Sequence, residues 1–232
     1  MNLQELFTDF ISLIFPDICF SCQKVLKKGE SKICTHCRAN LPFTNIHKQN
    51  PKENLVTQKF YGKIPIEYGL AFLQFAKGGK VQNLLHQIKY NQQPELAEML
   101  GLWYASELKE QGFQDKFDYI VPVPLHPNKL KIRGYNQSDY FGAGLSKLLE
   151  KELANELLQR NTNTSTQTKK SRLERWKNVS KIFEATNPDK IRKKSILLVD
   201  DVITTGSTLE ACAQALLEAE AASISVASIA IA

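Results

Sequence analysis

The sequence predicts an α/β fold, a mainly parallel, twisted sheet with helices on both faces, preceded by a small four-cysteine unit. Three observations carry that expectation. Ile196-Leu197-Leu198-Val199 is a continuous apolar run of the kind buried on both faces of a parallel sheet. It leads through two carboxylates and a small-residue loop into a strong helix former, Leu209 to Leu217. Asp118 to Val123 reads as the first core strand, which breaks into a proline-dense loop before another apolar helix. Finally, Cys19, Cys22, Cys34 and Cys37 form two C-x-x-C pairs ahead of the α/β part.

In chain order, Leu3, Leu6, Phe7, Phe10, Ile11 and Ile14 stand at helical spacing and give residues 3 to 15 one apolar face. The opposite face has no Lys or Arg, so this helix is expected to pack on its own domain rather than on a membrane. Pro16 stops it. The doubled C-x-x-C pattern presents four thiolates to one tetrahedral ion at ~2.3 Å, so a closed, structural Zn²⁺ is expected on Cys19, Cys22, Cys34 and Cys37. A redox dithiol or a pair of disulfides fits the doubling less well. His36 and His47 are read as surface residues, and residues 1–48 as one N-terminal domain. Residues 40 to 63 are polar and punctuated by proline, the composition of a linker. A second domain, 64–232, follows.

Within it, Tyr68 to Phe75 alternates enough for one or two strands and Gly78-Gly79 marks a break. Val81, Leu84, Leu85 and Ile88 share one face of a helix that ends at Lys89-Tyr90, and a second helix runs from Glu95 to Lys109. Lys89 has two readings, an anion ligand or a solvated helix-end lysine. The prolines of Val121-Pro122-Val123-Pro124 rigidify the chain and invite a cis bond. Beyond them, Arg133-Gly134-Tyr135-Asn136-Gln137-Ser138 opens a helix through Leu149. Pro124, Leu125, His126 and Arg133, beside that helix N-terminus, form an expected anion site. Leu157 to Arg160 is expected as the second core strand, and residues 161 to 177 as a long polar loop that orders on binding. Residues 169 to 194 hold ten Lys or Arg against three acids, a patch suited to pyrophosphate or to single-stranded DNA, or simply solvated. Trp176 is the one aromatic there that offers a base a stacking face, though core packing is a tryptophan's commoner fate. Ser223 to Ala232 reads as the last buried strand, and Cys212 as inert core on the stripe Leu209, Cys212, Ala213 and Leu216.

The chemistry concentrates after Val199. Thr204, Thr205, Gly206, Ser207 and Thr208 form a tight loop at a helix N-terminus, where free N–H groups and the helix dipole favour an anion. Asp200 and Asp201 would repel a phosphate but accept hydrogen bonds from the hydroxyls of a sugar that carries one. The expected site is therefore a sugar-phosphate site at the C-terminal edge of the sheet. A dinucleotide fold is excluded, because no G-x-G-x-x-G follows the first strand.

The stretch Ile196 to Thr208 resembles the phosphoribosyl-pyrophosphate (PRPP) motif of type I phosphoribosyltransferases: four apolar residues, two acids and a Thr-Thr-Gly-x-Thr loop. That resemblance implies a 5′-phosphate on Thr204 to Thr208 and ribose 2′- and 3′-hydroxyls on Asp200 and Asp201. It also implies pyrophosphate with Mg²⁺ near Pro124, Leu125, His126 and Arg133, a hood over 64–112 and a core over 117–232. Taken together, Pro122 to Pro127, Arg133 to Ser138, His86-Gln87-Ile88-Lys89-Tyr90 and the four cysteines resemble the competence-associated ComF family. The family's flexible-loop pattern falls on Arg160, Thr164, Gln167, Arg175 and Asn178, with Ser165 and Lys170 where a proline and a leucine are usual. The resemblance implies PRPP binding and a role in DNA uptake. It leaves three classes open: a phosphoribosyltransferase of unknown acceptor, a PRPP-sensing or single-stranded-DNA-binding module, and a structural partner of the competence machinery.

The formal charge of +6 over 232 residues is compatible with an anionic substrate or with nucleic acid and decides neither. No stretch of the ~18 apolar residues that a membrane span requires is present. Met1 to Phe7 lacks the basic start of a signal peptide, and the expected compartment is the cytoplasm.

Overall fold

A computed structural model describes residues 15–161 and 182–232. Five strands form its centre: β1 (Gly69–Gln74), β2 (Tyr119–Pro122), β3 (Glu152–Leu153), β6 (Ser195–Ile203) and β7 (Ser223–Ile231). They make one sheet in the order β1-β7-β6-β2-β3, every neighbouring pair parallel. Alternation along β6 explains its unbroken apolar run. Leu197 and Val199 enter one hydrophobic cluster, and Ile196 and Leu198 enter the other, on the opposite face.

The first cluster is built with α2 (Lys80–Tyr90), α3 (Pro94–Glu110) and α5 (Gln137–Leu149). Helices α3 and α5 cross with their backbones almost touching. A Cβ on Gly144 would lie 2.2 Å from the Glu98 carbonyl oxygen, and one on Gly101 would lie 2.4 Å from that of Phe141. The second cluster is covered by α7 (Ser207–Glu218), whose Leu209, Cys212, Ala213 and Leu216 are buried as the stripe predicts. The one-turn α6 (Pro188–Ile191) adds Ile191 to it. The small α1 (Thr35–Ala39) carries Cys37, and Cys19, Ile33, Cys37 and Leu41 join the first cluster. Asn83 of α2 donates to the Ser21 carbonyl at 2.9 Å, and the Arg38 guanidinium lies 4.6 Å from the Trp103 ring centre.

Four expectations are corrected. Residues 40 to 63 are no linker, for Ile46, Val56 and Phe60 are buried on or beside two 3-10 helices, Ile46–Lys48 and Thr57–Phe60. Their polar neighbours serve the backbone. Asn54 donates to the Gly69 carbonyl at 3.0 Å and accepts from the Val56 and Thr57 amides at 2.8 and 3.2 Å. Second, β4 (Leu158–Arg160) lies outside the main sheet, pairing antiparallel with β5 (Phe183–Ala185); the short β3 takes the edge beside β2. Third, His47 is buried, its Nε2 lying 3.0 Å from Glu107 Oε2 and its ring edge-on to Tyr104. Burial there holds the imidazole below its usual range against the pull of Glu107. Fourth, every peptide bond of the described residues is trans, including those at Pro122 and Pro124.

A candidate sugar-phosphate site on the C-terminal edge of the sheet

Because all five strands run parallel, their C-terminal ends share one edge, and β6 brings two carboxylates to it between β2 and β7. The last ladder pair between β2 and β6 is Pro122 with Val199, so Asp200 and Asp201 emerge where β2 has already turned away. Asp201 is 6% exposed and Asp200 is half-buried. Their carboxylates are differently held. Asp200 Oδ1 accepts from Ser138 Oγ at 3.0 Å and from the Asp201 amide at 2.8 Å. Asp201 Oδ2 has Lys89 Nζ as its ionic partner at 2.8 Å, yet no donor is aligned to hydrogen-bond it. Burial, together with the charge of Asp201, pushes the Asp200 carboxyl up to about 7.

Thr204 and Thr205 follow, exposed, then Gly206 in a left-handed conformation at φ 81°, capping α7. A Cβ there would meet the Phe60 ring at 3.0 Å, so glycine is required both by the backbone and by its neighbour. Thr205 Oγ1 and Ser207 Oγ lie 2.9 Å apart, and Thr205 Oγ1 also accepts from the Ser207 amide at 3.4 Å. Four hydroxyl side chains, at 204, 205, 207 and 208, thus face solvent around the first turn of a twelve-residue helix.

The second expected loop is ordered by its own side chains. His126 caps α4 (Pro127–Arg133) through Nδ1, which accepts from the Asn128 amide at 3.2 Å. Asn136 caps α5, accepting from the Ser138 amide at 3.3 Å, and donates to the Val123 carbonyl at 3.0 Å. That bond ties the end of the β2 loop to the helix that delivers Ser138 to Asp200. Arg133 closes α4, donates to Gln137 and lies 5.7 Å from the Tyr90 ring centre. Pro124, Leu125 and His126 are partly exposed on the path between.

Lys89, Ser138 and Phe60 complete the site without having been assigned to it from sequence, although two of them lie in motifs already singled out. Gln167, Arg175 and Asn178, with Thr164, Ser165, Lys170 and Trp176, lie outside the described residues, as do residues 3 to 14 of the expected helix over 3 to 15.

The four cysteines converge. Their sulfurs all lie within 4.8 Å of one another, and Cys22 and Cys34 sulfurs are 3.9 Å apart. Four ligands at ~2.3 Å from a tetrahedral ion require sulfur spacings near ~3.8 Å, so the donor set fits a metal ion such as zinc. Backbone amides already point at it, Cys34 N at Cys19 Sγ and Cys37 N at Cys34 Sγ, at 3.3 and 3.4 Å. His36 is exposed, as expected, and is not among the four.

A family model described as the phosphoribosyl transferase domain matches residues 140–231, the span that holds β6, its loop and α7. The DNA utilization protein YhgH of Escherichia coli (strain K12) is 29% identical over 92% of this chain and 96% of its own length. Competence protein F of Haemophilus influenzae is 30% identical over 83% of this chain and 80% of its own. The chain belongs to the ComF family. Within it, competence protein ComFC of Bacillus subtilis is 26% identical over 92% of this chain and 84% of its own length. ComF relatedness therefore extends well beyond the matched domain, and the phosphoribosyltransferase-like fold expected from sequence is the one found. No described helix is long and apolar enough to cross a membrane.

Proposed function

We propose that this ComF chain binds PRPP with Mg²⁺ and serves DNA uptake, a reading supported by relatives named as DNA utilization and competence proteins. The observation that carries the proposal is the pairing of Asp200 and Asp201 with an exposed hydroxyl loop at the start of α7. The loop would take the 5′-phosphate, and the two carboxylates the ribose hydroxyls. Asp201 Oδ2, buried and without an aligned donor, has the capacity such a hydroxyl would fill. The pyrophosphate would lie toward Pro124, Leu125, His126 and Arg133. Mg²⁺ would supply charge neutralisation for it, held beside Asp200 and Asp201 largely through ligand oxygens and water. The cysteine set would hold a structural Zn²⁺, in a domain spanning 1–48 that precedes the phosphoribosyltransferase-like domain of 64–232.

Differential stabilisation by ligand tests this reading. PRPP with Mg²⁺ should raise the melting temperature, ribose 5-phosphate less so, and Asp201→Asn should remove most of the gain. Unchanged melting with PRPP in the wild type would exclude it. Pyrophosphate release in the same samples separates a transferase from a non-catalytic sensor.

A further inference from the structure

The hydroxyl loop before α7 carries no cation of its own. From Asp200 to Glu210 the chain has acids on both sides of the loop and no Lys or Arg. A phosphate monoester bears about −1.5 to −2 charges near neutral pH, so in those surroundings it calls for a cation from elsewhere. The segment that backs the loop offers one. The 3-10 helix Thr57–Phe60 sets the Phe60 ring 3.0 Å from the place of a Cβ on Gly206, and Lys59 Cβ lies 3.7 Å from the same point. Lys59 therefore starts over the cap of α7, and it is half-buried there. Its ammonium donates to the Ala232 carbonyl oxygen at 3.0 Å. The Ala232 amide in turn donates at 2.9 Å to the carbonyl of Ile203, the residue before the loop. Lys63 flanks the other side. Its Nζ lies 3.5 Å from Oε2 of Glu210, the acid in the first turn of α7, and donates to the Lys59 carbonyl oxygen at 3.1 Å.

We propose that Lys59 is a phosphate-binding residue of this site, its ammonium passing from the Ala232 carbonyl to the phosphate monoester of the sugar. Lys63 is then a positioning residue, which cancels the charge that Glu210 would turn on the same group. The proposal rests on the PRPP reading above and adds to it a part of the chain outside the matched span of 140–231. An ammonium bonds a phosphate oxygen more strongly than a carbonyl oxygen, so the exchange favours the bound state. Asp201 Oδ2, buried and without an aligned donor on the same edge, independently marks the place as one that a ligand completes.

Calorimetric titration of PRPP with Mg²⁺, ribose 5-phosphate and magnesium pyrophosphate into the wild type and its variants tests the proposal. Lys59→Met should weaken PRPP and ribose 5-phosphate alike, by about 10-fold or more, the loss of one charge-assisted contact. Magnesium pyrophosphate, which lacks the sugar phosphate, should stay within about 2-fold of its wild-type affinity. Lys59→Arg should recover most of the ribose 5-phosphate affinity, since it keeps a charged donor. Lys63→Met should weaken ribose 5-phosphate by about 3-fold, and adding Glu210→Gln should restore it. Unliganded Lys59→Met should melt within about 2 °C of the wild type, which shows that it folds. Unchanged ribose 5-phosphate binding in Lys59→Met would overturn the inference. So would an equal loss for ribose 5-phosphate and magnesium pyrophosphate, which is the mark of a purely structural lysine. In either case PRPP binding by the wild type would leave the reading beneath it standing. A wild type that binds neither PRPP nor ribose 5-phosphate would overturn both.

Discussion

Asp200 sits under two opposing demands, since the proposed ribose hydroxyl would need it as an acceptor while its surroundings favour the protonated form. Its carboxyl is raised from 3.8 to about 7 by burial and by Asp201, so the native protein retains a proton that the unfolded chain has released. The stability this gives is fully present below about pH 4 and is lost as the pH rises toward 7. Asp139, which burial raises to about 6, acts in the same direction. Asp200→Asn should therefore stabilise the unliganded protein at pH 8 by about 1–2 kcal/mol in urea denaturation, with little effect at pH 4. The same substitution should weaken PRPP binding. Lys89 has the opposite character, because removing it strands the buried Asp201 carboxylate. Lys89→Met should cost about 1–3 kcal/mol, most of it recovered when Asp201→Asn is added, as a double-mutant cycle would measure. The two aspartates were legible from their place after an apolar run. The role of Lys89 was not, because the direction of a helix-end lysine depends on how α2 lies against the sheet edge, which helical periodicity does not encode.

The unit of β6, loop and α7 was readable as a whole because each part has its own signal: an apolar run, a cluster of small hydroxylated residues, then an amphipathic helix. Elements that lack such a signal were misread. Residues 40 to 63 bury Ile46, Val56 and Phe60 at no regular spacing and satisfy their backbone through Asn54, so their polar composition resembles a linker. That segment has a specific place, since Phe60 packs against Gly206 and backs the hydroxyl loop before α7. Likewise β4 is three residues long, too short for its sequence to say which sheet it joins. The contact of α3 with α5 shows how tightly the elements beneath the site are set. A Cβ on residue 144 would come within 2.2 Å of the Glu98 carbonyl oxygen, so the helices must separate to accept even one carbon. Gly144→Ala should cost about 2–3 kcal/mol by urea denaturation, since its partner is backbone and cannot rotate away.

At the scale of the molecule, the cysteine unit and the sheet share one hydrophobic cluster, through Cys19, Ile33, Cys37 and Leu41. Metal analysis should find about one zinc per chain. Stripping it with a chelator should lower the main melting transition by roughly 5 °C or more rather than melt a separate unit, as differential scanning calorimetry would show. Above that cluster, the parallel sheet delivers the carboxylates and hydroxyl loop to one edge and α2 brings Lys89 to it, and the central claim is that this edge holds a phosphorylated ribose. Calorimetric titration of PRPP with Mg²⁺ into the wild type and into Asp201→Asn tests it most directly. The wild type should bind with a stoichiometry near ~1, and the variant at least about 10-fold more weakly, the loss of one charged hydrogen-bonding partner. Equal affinity in the two proteins, or no heat of binding in the wild type, would contradict it.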